Sequence, residues 1–123
     1  MTGLRRCVLV VDDEALIADL WCMHMEMIGV EVCGVAATAE AAVALAQEHR
    51  PAVVLMDVRL RGASDGVDAA RLLGEHVASK VIFITGSRDP DTIARIQSAE
   101  PAAILFKPVS DRQLHTAVRE ALA

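Results

Sequence analysis

Cysteine is scarce and unpaired in this chain. Cys7, Cys22 and Cys33 are the only three, no two of them form a C-x-x-C pair, and an odd number closes no disulfide framework. Neither a disulfide scaffold nor a zinc knuckle is expected, and free thiols suit a reducing cytoplasm. Long apolar runs are also missing. Segments such as Ala52 to Met56 and Val81 to Thr85 fall far short of the about 20 residues that span a bilayer. The apolar segment after Arg5 and Arg6 stops at Asp12, too soon for a secretory signal. No membrane partner and no export are expected. Positive charge is thin: 12 Lys and Arg against 17 Asp and Glu leave a net charge of -5, the wrong sign for a surface that binds phosphate backbones. Nucleic acid is therefore not an expected partner. The histidines (His24, His49, His76 and His115) lie too far apart for a helical metal pair, tyrosine is absent, and Lys80 and Lys107 are the only lysines.

What is present points to one folded domain over 1–123. With 54% hydrophobic residues the chain is too apolar for disorder, and at this length it buries roughly two thirds of its unfolded surface without a staple. Short continuous apolar runs, expected of strands buried on both faces, occur at Cys7 to Val11, Val32 to Ala36, Ala52 to Met56, Val81 to Ile84 and Ala102 to Phe106. Helical periods separate them. The first, Glu14 to Ile28, ends at Gly29; its core face is expected to carry Ile17, Leu20, Trp21, His24, Met25 and Ile28, with Cys22 and Met23 toward Asp19 and Glu26. Thr38 caps a helix to about His49, Asp65 caps one from Gly66 to about Val77, Asp89-Pro90 starts the fourth, and Ser110 with Gln113 boxes the last, Asp111 to Leu122. Strict alternation of five strands and five helices predicts an α/β fold with an open parallel sheet, whose ligand site lies beyond the carboxyl ends of the strands.

That edge collects the chemistry. The first strand runs into Asp12, Asp13 and Glu14, the third into Asp57, the fourth into Thr85 and Gly86, and the fifth into Lys107 and Pro108. Three carboxylates against one ammonium repel one another unless a divalent cation joins them; Mg²⁺ suits such a half-open oxygen site, and Ca²⁺ could occupy it too. With charge neutralised from two sides, Asp57 could accept a phosphoryl group, Thr85 could donate a hydrogen bond to it, and Gly86 would leave it room.

These residues carry a resemblance. Over about Cys7 to Leu122 the chain resembles the receiver domain of two-component response regulators, through Val10-Val11-Asp12-Asp13-Glu14, Leu55-Met56-Asp57, Ile84-Thr85-Gly86 and Phe106-Lys107-Pro108. The resemblance implies a flavodoxin-like (βα)5 fold with strand order 2-1-3-4-5. It implies that Asp57 is phosphorylated by a histidine kinase or phosphotransfer protein. It further implies that Asp12, Asp13, Asp57 and the backbone carbonyl of Arg59 hold Mg²⁺, that Thr85, Gly86 and Lys107 receive the phosphoryl group, and that the Lys107-Pro108 bond is cis. Arg59 and Ser87 take the positions that flank the hydrolytic water, and so are expected to tune phosphoryl lifetime.

The chain also departs from the family pattern. A proline four residues past the acceptor and a glycine eight past it are replaced by Arg61 and Asp65; glycine comes one residue later, at Gly66. Ile104 stands where many receivers place a switching aromatic ring, so the Thr85 half of the switch is expected without the aromatic half.

Rival chemistries fare worse. Gly62-Ala63-Ser64-Asp65-Gly66 formally spells G-x-S-x-G, with Asp91 and His115 following, but Ser64 stands seven residues beyond Asp57 and cannot occupy a strand-to-helix elbow. An aspartate-nucleophile phosphatase would need a general acid where Arg59 stands. An unmodified protein-binding module remains the alternative. The overall expectation is a stand-alone cytoplasmic response regulator with no output domain and no enzymatic activity beyond its own phosphorylation and dephosphorylation, signalling by contact with another protein.

Overall fold

The computed structural model describes residues 3–123. Ten elements alternate: β1 (Arg5–Val11), α1 (Ala15–Met27), β2 (Glu31–Ala36), α2 (Ala39–His49), β3 (Pro51–Asp57), α3 (Gly66–Gly74), β4 (Lys80–Thr85), α4 (Pro90–Ser98), β5 (Ala103–Phe106) and α5 (Asp111–Leu122). The strands form one parallel sheet, as the alternating pattern predicts, in the order β2-β1-β3-β4-β5 that the resemblance implies.

Residues alternate across the sheet because successive strand side chains point to opposite faces. Leu9, Val11, Val54, Met56 and Phe83 point into the layer that α2, α3 and α4 cover. Val8, Val10, Val53, Leu55, Ile82 and Ile84 point into the layer under α1 and α5. Burial on both faces explains why β1, β3 and β4 read as unbroken apolar runs. α2 lies close against the sheet through Ala39, Ala42 and Ala46, whereas α4 buries Ile96 alone.

The expected caps are present. Thr38 accepts the Ala41 N–H, Asp89 accepts that of Thr92, and Ser110 with Gln113 forms a reciprocal box. Asp65 pairs with Asp68 in a second box, which the spacing did not announce. Gly29, at φ 72°, ends α1: its N–H reaches the Glu26 carbonyl and that of Val30 reaches Met25, satisfying two orphan acceptors.

Three expectations need correction. α1 begins at Ala15, because Glu14 has extended backbone angles, φ -96° and ψ 109°, and stands just outside the helix as its N-cap. α3 ends at Gly74, not near Val77; beyond it the chain closes back by a Val77 N–H to Leu73 carbonyl bond. Leu20 is not core. α1 meets the sheet through Ala18, Trp21, His24 and Met25, which turns Leu16, Leu20, Met23 and Met27 outward in one row. Ala18, only 2% exposed, is part of that buried face.

Candidate functional site

From β1 the chain passes outward to β2 and then back across to β3, so a crevice opens where β1 and β3 adjoin. The expected residues gather there. Asp13, Asp57, Arg59, Gly86, Ser87, Thr85 and Lys107 line an open cavity of about 770 Å³, together with Glu14, Val58, Asp65, Thr92 and Arg95. Asp12 lies just beneath, 2% exposed.

Oxygens of Asp12, Asp13 and Asp57 lie within 4.8 Å of one another. Asp12 Oδ1 accepts the Glu14 N–H at 2.9 Å, but its buried Oδ2 has no hydrogen-bond partner. Such an atom is costly unless a proton or a cation satisfies it. Lys107 Nζ stands 3.7 Å from Asp57 Oδ1. Burial pushes the Asp57 carboxyl up to about 6, with the Asp12 charge adding to the rise; Lys107 and the N–H groups of Val58 and Arg59 oppose it. Burial likewise raises Asp12. Three crowded carboxylates, one of them with an orphaned oxygen, fit a hard, oxygen-seeking divalent cation such as Mg²⁺.

Thr85 is 2% exposed, and its Oγ1 accepts the Ser87 N–H at 3.0 Å, which leaves its own proton available to a group in the cavity. Its carbonyl accepts the Lys107 N–H at 2.8 Å, so the ends of β4 and β5 are tied together. A methyl group at Gly86 would meet no protein atom within 4 Å, so packing does not demand that glycine. Gly66 differs: a Cβ there would stand 1.9 Å from the Asp57 carbonyl oxygen. The late glycine is thus the one that lets α3 start against the acceptor strand. The Lys107-Pro108 bond is cis. Ile104 sits away from the cavity, paired with Phe83 and packed on the core.

The sequence reading missed Arg95 and the cavity role of Asp65. Asp65 registered only as a cap. Thr92 and Arg95 are three apart on α4, a spacing that places both on one face, and that was the available signal.

Residues 8–119 match the family described as the response regulator receiver domain. The chain belongs to that family. The receiver is 35% identical over 122 residues to the transcriptional regulatory protein PdtaR of Mycobacterium tuberculosis, covering 98% of this chain and 58% of that protein. It is 36% identical over 117 residues to the phyllosphere-induced regulator PhyR of Methylorubrum extorquens, covering 94% and 43% respectively. The receiver therefore spans about half the length of these curated relatives. Among solved structures, the signal receiver domain of a modulated diguanylate cyclase from Desulfovibrio desulfuricans superposes with a TM-score of 0.87 at 37% identity, covering 94% of this chain and 91% of that one. A CheY-like receiver from Methanospirillum hungatei gives 0.86 at 27%, covering 98% and 94%. The strand order and the five helices are those of the flavodoxin-like receiver fold. No helix among the described residues is long and apolar enough to cross a membrane.

Proposed function

We propose that the receiver is a phosphoacceptor in two-component signalling, taking a phosphoryl group on Asp57 from a histidine kinase or phosphotransfer protein and passing the signal on by contact with a downstream protein. The observation that carries this is the Asp57 carboxylate at a strand end, 3.7 Å from Lys107 and within 4.8 Å of two further aspartates. In the step itself an Asp57 oxygen forms the new O–P bond as the donor's N–P bond breaks, and the departing imidazole takes up a proton. Lys107 offsets charge on the phosphoryl oxygens and the Thr85 hydroxyl donates to one of them. Asp12, Asp13, Asp57 and the Arg59 carbonyl would hold Mg²⁺, which when bound supplies further neutralisation of those oxygens. Arg59 and Ser87 line the cavity and are placed to shield or admit the water that ends the modified state.

The outward row of α1 supports a helical donor. Leu16 is 83% exposed and Met27 66%, the row carries Asp19 and Glu26 alongside, and it begins next to Asp13 and Glu14 at the cavity mouth. A helix laid along it, apolar on one stripe and basic at its flank, would bring a phosphohistidine to Asp57. Action in the cytoplasm is part of the same proposal.

Incubation with Mg²⁺ and acetyl phosphate, followed by intact mass measurement, tests the reading. The wild type should gain one phosphoryl group and Asp57→Asn none, and Arg59→Ala should gain it but lose it at a different rate. A wild type that stays unmodified at high donor concentration would leave a binding module as the function.

A further inference from the structure

The segment 58–65, between the acceptor and α3, packs Val58 and Leu60 on the core and is pinned by polar contacts at three points. The Val58 carbonyl accepts the Gly66 N–H at 2.7 Å, which closes the segment from its far end, and the Arg61 N–H reaches the Ala37 carbonyl at 3.2 Å. The third point is a side-chain clamp. Arg95 of α4 places Nη1 2.7 Å from Asp65 Oδ2, and Nη2 3.4 Å from Asp65 Oδ1 and from Asp68 Oδ1. Those two aspartates also form the capping box of α3, so the same carboxylates hold the helix start and the guanidinium. Although partial burial works against ionisation, the Arg95 hydrogen bond and charge keep the Asp65 carboxyl below its ordinary range.

The clamp connects to the acceptor through close backbone contact. Asp65 precedes Gly66, whose backbone lies so close to that of Asp57 that a Cβ would overlap it. At the other end of the segment, the N–H groups of Val58 and Arg59 reach the Asp57 carboxylate. Between the pins the chain carries Gly62 at φ 97° and the exposed Arg59, Arg61 and Ala63, with only the partly buried Leu60 packed on the core.

We propose that Arg95 is a positioning residue of the acceptor site: by clamping Asp65 it fixes the 58–65 segment and with it the Arg59 carbonyl, so that divalent-ion affinity depends on a helix that supplies none of the ligands. The proposal rests on the functional reading above and adds a dependence of the acceptor site on α4. Because linkage is reciprocal, ion binding would in turn tighten the hold on α4.

The test is Mn²⁺ binding to the unphosphorylated chain, followed by the electron paramagnetic resonance signal of the free ion. Arg95→Met should weaken binding about threefold to fivefold, the scale of a half-exposed ion-pair network. Charge alone predicts the opposite sign, since removing a cation from the cavity would tighten cation binding. Arg95→Lys should recover part of the affinity. Arg71→Met should change nothing, because Arg71 joins α3 to α4 only through the Ser98 hydroxyl. Hydrogen exchange at the Gly66 amide should quicken in Arg95→Met and stay as in wild type in Arg71→Met. Unchanged or tighter Mn²⁺ binding by Arg95→Met, or an equal loss in Arg71→Met, overturns the proposal while leaving phosphorylation of Asp57 intact. A wild type that neither binds Mn²⁺ nor gains a phosphoryl group brings down the functional reading, and the clamp's purpose with it.

Discussion

Two groups of aspartates, one reaching the cavity through Asp13 and Asp57 and the other through Asp65, stand under opposite electrostatics. Asp12, Asp13 and Asp57 have a single ammonium, that of Lys107, 3.7 Å from Asp57, and burial raises both Asp12 and Asp57. Asp65 and Asp68 have a guanidinium in direct contact and exchange hydrogen bonds with each other's backbone N–H, and Asp65 is held down. The first group is short of positive charge and gains from any cation that enters. The second is satisfied within the chain. Carboxylate count alone would not separate them; unmet electrostatic demand does.

Breaking the first group at its one cation should have the largest effect. Lys107→Met should slow phosphorylation by a small donor about 10²- to 10³-fold, the usual scale for removing one oxyanion-stabilising group, as read from mass time courses. An unchanged rate would show that the crowded carboxylates manage the chemistry without their lysine.

Next in size is a stability difference with a definite pH sense. The Asp57 carboxyl titrates near 6 in the folded chain against an ordinary 3.8, so between those values the native state holds its proton more tightly than the unfolded state does. Stability from this group is therefore full below about pH 4 and is lost as pH rises toward 6. The loss is at most about 3 kcal/mol. Without metal, Asp57→Asn should gain thermal stability over wild type progressively across that window, and Mg²⁺ at pH 7 should narrow the gap by stabilising wild type. A constant difference between the two proteins across the window would remove the strain assigned to the first group.

The second group should show the reverse slope and a smaller size. Asp65→Ala removes a helix cap and the clamp, and should cost about 1 kcal/mol by thermal melting. With its carboxyl held below 3.8, the contribution is present above that value and fades as pH falls through the depressed pKa. A cost that grows in acid would contradict the pairing with Arg95.

The sequence made the sheet and its functional edge readable because both rest on local signals. Buried parallel strands such as Val53 to Met56 must be apolar throughout, and strand ends must surface where the chain turns, so Asp57 and Lys107 stand out without coordinates. Leu20 was misplaced because a helical wheel gives relative angles only; the face that meets the sheet includes Ala18, a residue too small to weigh in a hydrophobic count. The spacing from Thr92 hinted at the face of Arg95 but not at its partners, which lie 30 and 27 residues away at the start of another helix. The glycine offset between Asp65 and Gly66 was visible as a departure, but its purpose emerged only from the 1.9 Å approach to the Asp57 carbonyl.

With Ile96 as its sole buried side chain, α4 has an apolar anchor of about 2 to 3 kcal/mol, where α3 has Val67, Ala69, Ala70 and Leu73. An event at the carboxyl edge that releases only a few kcal/mol is too weak to deform the sheet yet large enough to swing this one element. The molecule thus carries a leaf on a stiff frame, and a protease probing the native state should find its first foothold at the leaf's two hinges, around residues 86–89 and 99–102.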